Sequence, residues 1–120
     1  MAKSILIISR QSPWSGPGAR EALDIVLAGG AFDLPIGLLF LDDGVFQLAT
    51  SQNAKALQQK DLSANLQALP MFGVEELFAC GDSINRRGLD PSGLSLEEAQ
   101  VLAAHEITAL IDRYDQVITL

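Results

Sequence analysis

The single thiol of the chain, Cys80, closes the apolar run Glu76-Leu77-Phe78-Ala79-Cys80 and is followed at once by Gly81-Asp82-Ser83. Such a run, stopped by Gly-Asp-Ser, reads as a short buried strand that hands over to a helix with Asp82 or Ser83 as its N-cap. Free amide groups and the helix dipole at that junction favour a thiolate, and Arg86 and Arg87 add positive charge within two turns. Asp82 opposes a second negative charge beside it. A lone thiol has no second cysteine to resolve a disulfide. The residue pattern is that of a reactive thiol. A small apolar residue ending a strand accounts for Cys80 equally well.

Asp42-Asp43-Gly44 stands at the end of a second apolar run, Pro35 to Leu41. Paired carboxylates at a strand end are the start of a magnesium or phosphorylation site. A receiver-type site also needs a third carboxylate and a lysine at other strand ends, and Lys3, Lys55 and Lys60 are all misplaced for that. The pair is expected instead to cap the turn of Asp-Gly-Val-Phe. Gly16-Pro17-Gly18 lacks the Gly-Lys-Ser/Thr of a phosphate-binding loop and has the wrong spacing for a dinucleotide fingerprint. With Ser12, Trp14 and Ser15 it reads as a surface loop. His105 is the only histidine and reads as a partly exposed helix residue. One cysteine and one histidine exclude a disulfide framework, a Cys-rich zinc site and a multi-His centre, so neither metal nor cofactor is expected.

The elements that must position these groups alternate between strand and helix. Ile5-Leu6-Ile7-Ile8 is a β-branched run fit for a strand buried on both faces. Gln11 to Gly18 is a loop, Ala19 to Ala28 an amphipathic helix, and Gly29-Gly30 its expected stop. Pro35 to Leu41 is the second strand, Glu76 to Cys80 the third, and Val117 to Leu120 the last. Thr50 to Lys60 is a polar loop or surface helix, and Leu62, Leu66 and Leu69 mark a helix ended by Pro70 and Gly73. Ser83 to Arg87 makes a short helix stopped by Gly88. Ser95 to Val101 fits either an early helix start, through the box Ser95-x-x-Glu98, or a short edge strand. Ala103, Ile107, Leu110, Ile111 and Tyr114 have helical spacing. Alternation with short connections implies an α/β fold: a mostly parallel sheet of about five strands, helices on both faces, and chemistry at the carboxyl ends of the strands.

At 120 residues the chain suffices for one domain, 1–120, without a linker or an internal repeat. Eight Lys and Arg against fifteen Asp and Glu give a net charge of −7, which repels phosphate and argues against direct nucleic-acid binding. No signal-peptide core precedes Arg10, and the longest apolar run, near Leu34 to Leu41, is under half of the ~20 residues that span a bilayer, so a cytoplasmic protein without a membrane partner is expected. Apolar residues outside the periodic faces are conspicuous. Val45, Phe46, Leu48, Met71 and Phe72 all fall in loops or turns and are candidates for a protein interface.

Four blocks carry a resemblance to a known family. They are Gly18-Ala19-Arg20-Glu21-Ala22-Leu23-Asp24, then Leu39 to Leu48 (LFLDDGVFQL), then Cys80-Gly81-Asp82-Ser83 followed by Arg86-Arg87-Gly88-Leu89-Asp90-Pro91, and finally Tyr114-Asp115-Gln116-Val117-Ile118. Together and in this order they resemble the TusC, or DsrF-like, members of the DsrE/DsrF/DsrH group over essentially the whole chain. The resemblance implies a subunit of a TusB–TusC–TusD complex, a dimer of heterotrimers. That complex takes persulfide sulfur from a TusA-like donor and passes it to a TusE-like acceptor. The sulfur ends in 2-thiolation of the wobble uridine of certain tRNAs, or, in sulfur-oxidising bacteria, in dissimilatory metabolism. The resemblance places the carrier cysteine on the TusD-like subunit, which makes this chain a structural subunit of a sulfurtransferase complex and not an enzyme on its own. Two alternatives stay open beside this: Cys80 as a persulfide carrier in its own right, which the resemblance suggests, and a flavodoxin-like module for a small molecule.

Overall fold

A computed structural model describes residues 3–12, 18–48, 66, 68–89 and 99–120. Five parallel strands form one sheet: β1 (Ile5–Ser9), β2 (Ile36–Phe40), β3 (Glu76–Cys80), β4 (Gln100–Leu102) and β5 (Gln116–Thr119), in the order β4-β3-β2-β1-β5. The three central strands are the apolar runs, as expected where both faces are covered. Side chains alternate across the sheet, so Ile7, Leu38, Phe40, Leu77 and Ala79 join one core and Leu6, Ile8, Leu39, Phe78 and Cys80 the other. The first core is sealed by Ala19, Ala22, Leu23 and Val26 of helix α1 (Gly18–Ala31), by the short helix α2 (Gly81–Arg86) through Ile84, and by two 3₁₀ turns, Asp42–Leu48 and Leu69–Phe72. The second is closed by Ile107 and Leu110 of α3 (Ala104–Arg113), which carries the chain from β4 at one edge to β5 at the other.

Several boundaries differ from the sequence reading. The helix expected to stop at Gly29-Gly30 runs through both and ends at Ala31. These glycines serve packing. A Cβ on Gly30 would lie 2.7 Å from the carbonyl oxygen of Phe72 and collide with Val74, so only glycine lets α1 meet the 69–72 turn. The helix is terminated by Asp33 in the left-handed region at φ 58°, with amide bonds from Asp33 to the Gly30 carbonyl (3.0 Å) and from Leu34 to the Gly29 carbonyl (3.0 Å). Leu66 is helical, its neighbours in sequence lie outside the described residues, and Gly73 closes the 69–72 turn that contains Pro70. Pro70 occupies the first positions of that turn, where its missing N–H costs nothing. The 95–101 ambiguity is decided at its end, since Gln100 to Leu102 pair with β3 as an edge strand. The box at Ser95-Glu98, the polar stretch 50–60, and Leu62 lie outside the described residues. Half of a capping box appears eight residues later, where the Ala103 amide donates to Glu106 Oε1 at 3.0 Å.

The two sheet edges are unlike the centre. All four residues of β5 are exposed, including Val117 and Ile118, and none carries a charge. Its inner side is held by Gln116 and Leu120 amides donating to Ser4 and Ile8. Among the described residues no strand pairs with its outer side.

At the amino end of the sheet the Tyr114 hydroxyl donates to Glu76 Oε1 above Gly37, where a side chain on the strand would strike the ring. Partial burial raises the Tyr114 pKa above its usual value, and the hydrogen bond to the Glu76 carboxylate raises it further. A raised phenol stabilises the fold below the ordinary value near 10, and that contribution is lost as pH rises past it. Tyr114 is the only tyrosine, so phenolate absorbance reports it alone. Native protein should ionise at higher pH than the denatured chain; coincident titrations would show that the Glu76 contact does not persist in solution.

Candidate functional site

The carboxyl ends of the strands gather Cys80, Asp42 and Asp43, whereas His105 lies exposed on α3. Cys80 is the last residue of β3 and is buried, with 6% of its surface exposed. Its sulfur caps α2 by accepting a hydrogen bond from the Ser83 amide at 3.4 Å, so the N-cap is Cys80 and not Asp82 or Ser83. The side chain lies on the α3 side of the sheet, packed with Phe78 and Ile107 in the second core. Arg86 and Arg87 are not its partners. Arg87 Nε instead donates to Asp43 Oδ1 at 2.8 Å.

Asp42 and Asp43 are each held by an arginine from another segment, Arg10 just after β1 and Arg87 at the C-terminus of α2. Arg10 approaches Asp42 Oδ2 through Nε at 2.8 Å and Nη2 at 2.6 Å, and Arg87 takes Asp43. The Asp42 amide donates to Ser83 Oγ at 3.0 Å, and Asp42 sits at φ 51°, a conformation that aspartate tolerates better than most residues. The loops after β1, β2 and β3 are thus tied together through Arg10–Asp42, Asp42–Ser83 and Asp43–Arg87. Arginine neutralisation of both carboxylates removes the charge a magnesium ion would need, and no group of three His, Cys, Asp or Glu among the described residues could hold a metal. A cleft of about 520 Å³ opens between Arg10, Gln11, Asp42, Asp43, Arg87 and Thr119.

Beneath the cleft lies a residue that the sequence reading missed. Gln47 is buried, and its amide nitrogen donates to Ser9 Oγ at 2.8 Å and to the Gln11 carbonyl at 3.0 Å. A buried polar group needs such partners, and these fix the loop after β1 against the 42–48 turn. The sequence signal was the lone glutamine inside Val-Phe-Gln-Leu. Val45 and Leu48 of the same turn point into the first core and are fully buried, whereas Phe46 is half-buried. Met71 and Phe72 stand out at the opposite end of the sheet, 87% and 47% exposed. The five loop candidates therefore do not share one surface. Trp14, Ser15 and Gly16-Pro17 lie outside the described residues.

The capping role of Cys80 makes a prediction. Cys80→Ser keeps an acceptor for the Ser83 amide, so it should fold with a stability within about 1 kcal/mol of the parent. Native Cys80 should alkylate with iodoacetamide far more slowly than in denaturant. Equal rates in the two conditions would show that the thiol is open.

An all-parallel five-stranded α/β sheet whose third strand delivers a capped thiol to the carboxyl end defines the class. The chain belongs to the DsrE/DsrF-like family, whose model matches residues 3–120. It is 64% identical over 120 residues to the protein named TusC homolog of Pseudomonas aeruginosa, covering all of both chains. It is 31% identical over 116 residues to Protein TusC of Klebsiella pneumoniae, covering 97% of this chain and 98% of the relative. It is also 36% identical over 94 residues to the Intracellular sulfur oxidation protein DsrF of Allochromatium vinosum, covering 78% of this chain and 69% of that one. Among solved structures the ychN protein from E. coli superposes with a TM-score of 0.77 at 18% identity over the full length of both, which shows the shared fold. No helix among the described residues is long and apolar enough to cross a membrane.

Proposed function

We propose that this chain is a structural subunit of a cytoplasmic sulfur-relay complex, assembled with TusB-like and TusD-like chains as a dimer of heterotrimers. In this reading the complex receives persulfide sulfur from a TusA-like donor and delivers it to a TusE-like acceptor for 2-thiolation of the tRNA wobble uridine. The observation that carries the proposal is the full-length 64% identity to a protein named TusC homolog. The site agrees with a structural role. The Cys80 sulfur is enclosed and already used as a helix cap, and both aspartates are tied to arginines, so none of these three groups stands unengaged as a nucleophile or metal ligand. A net charge of −7 suits a protein that meets other proteins and leaves tRNA to a later step.

A second reading has one observation in its favour: Cys80 lies at the carboxyl end of a parallel strand, where α/β proteins place their chemistry. Coexpression with the TusB-like and TusD-like chains of the same host, native mass spectrometry, and addition of a persulfidated TusA-like donor separate the two. The structural reading expects a 2:2:2 assembly, no added sulfur on Cys80, and unimpaired transfer in Cys80→Ser. A gain of one sulfur on Cys80, with transfer abolished by Cys80→Ser, makes it the carrier. A solitary chain that recruits neither partner sinks both.

A further inference from the structure

The cleft and the most exposed apolar side chains lie at opposite ends of the sheet. At the amino end, α1 runs out into Phe32-Asp33-Leu34, and the 69–72 turn packs against it through Gly30. This brings together Phe32, 79% exposed, Met71, and the partly exposed Phe72 and Leu34. Large apolar groups that stand this far out on neighbouring elements form a docking surface more often than a solvated one. The residues interleaved with them are acidic. Asp33 lies between Phe32 and Leu34, Glu75 follows shortly after Phe72, and neither makes an ion pair among the described residues. Most described cations are elsewhere: Arg10, Arg86 and Arg87 toward the carboxyl end and Arg20 in the first turn of α1, while Arg113, at the amino end beside Tyr114, is on the other face of the sheet from α1. Lys3, just ahead of β1, is the exception.

We infer that Phe32, Leu34, Met71 and Phe72, flanked by Asp33 and Glu75, form the surface by which this chain docks onto a partner protein that presents an apolar knob bordered by lysine or arginine. This rests on the proposed assembly and names the face and the partner chemistry within it. Charge complementarity chooses the occupant. A second copy would bring Asp33 and Glu75 against their own kind on a chain of net charge −7, whereas a basic rim relieves both. The surface is remote from Cys80, so docking here leaves the carboxyl-end cleft open to other proteins.

The test uses the chain coexpressed with its TusB-like and TusD-like neighbours. Phe32→Asp combined with Met71→Asp alters two exposed side chains and should leave the circular dichroism spectrum and thermal midpoint unchanged while weakening copurification at least tenfold. Glu75→Lys should slow association at low salt, with the difference from the parent shrinking as salt is raised. Full partner stoichiometry in the double variant, while the parent assembles normally, overturns this inference and spares the proposed function. A parent that never assembles overturns both. An isolated parent that is dimeric by light scattering, and monomeric after the double substitution, makes a second copy the occupant and likewise overturns it.

Discussion

Gly44→Ala should destabilise the fold by about 3 kcal/mol or more, lowering the thermal midpoint by roughly 10 °C. The cause is steric and local. A Cβ at this position would run into the Ser9 carbonyl oxygen, with the Ser9 carbonyl carbon at 2.8 Å and the Arg10 Cα at 3.3 Å. These are backbone atoms of β1 and the residue after it, so no side-chain rotation relieves the clash. Nor is the carbonyl at liberty to move, because it accepts the Leu41 amide at 3.0 Å where β1 and β2 end. Either the 42–48 turn lifts away, exposing Val45 and Leu48, or the end of the β1–β2 ladder opens. Both routes break the Gln47 contacts to Ser9 and Gln11. Thermal denaturation of the variant measures this directly, and a midpoint within 2 or 3 °C of the parent, on the order of 0.5 kcal/mol, would show that the turn does not lie against β1 as described.

Leu48→Asp should be costlier still, at about 4 kcal/mol or more, because it places an unpaired carboxylate among apolar side chains. Leu48 is fully buried in the core shared with Val45, Leu66 and Leu69. Domains of this size are stable by only ~5–15 kcal/mol, so the variant is expected to be largely insoluble or to melt near ambient temperature. The contrast with Met71→Asp is informative. Both replace a loop hydrophobe by a charge, yet Met71→Asp should change stability by no more than about 0.5 kcal/mol. Chemical denaturation of the pair reads the difference. Equal midpoints would mean that Leu48 is on the surface after all and belongs with the interface candidates.

That pair also marks how far the sequence could be read. Continuous β-branched and leucine runs announced β1, β2 and β3 to within a residue or so, since a strand buried on both faces has no other pattern available. The parallel sheet then followed from the alternation of strand and helix. Loop residues carried no such periodicity. Val45 and Leu48 resemble Met71 and Phe72 in composition and in distance from regular elements, and only the 3₁₀ winding of 42–48 turns the first two inward. The helix stop misread at Gly29-Gly30 has a similar origin, because glycine marks both a terminus and a close approach, and the approach of Phe72 is a long-range contact. The site was half legible. Cys80 was located at a strand end, and Asp42 and Asp43 at another. The partners of the aspartates, Arg10 after β1 and Ser83 and Arg87 on α2 and its end, come from other segments, and no local rule pairs residues 32 or 44 positions apart.

The outer flank of β5 has a practical meaning for any cell that makes this protein. Four uncharged residues in extended form, with Val117 and Ile118 uncovered and no proline or lysine to discourage a newcomer, invite any loose strand to zip on. Copies left with that flank uncovered would be the ones to clump. In the laboratory, expression of the chain by itself would be expected to give poorer soluble yield than expression alongside whatever shields that flank.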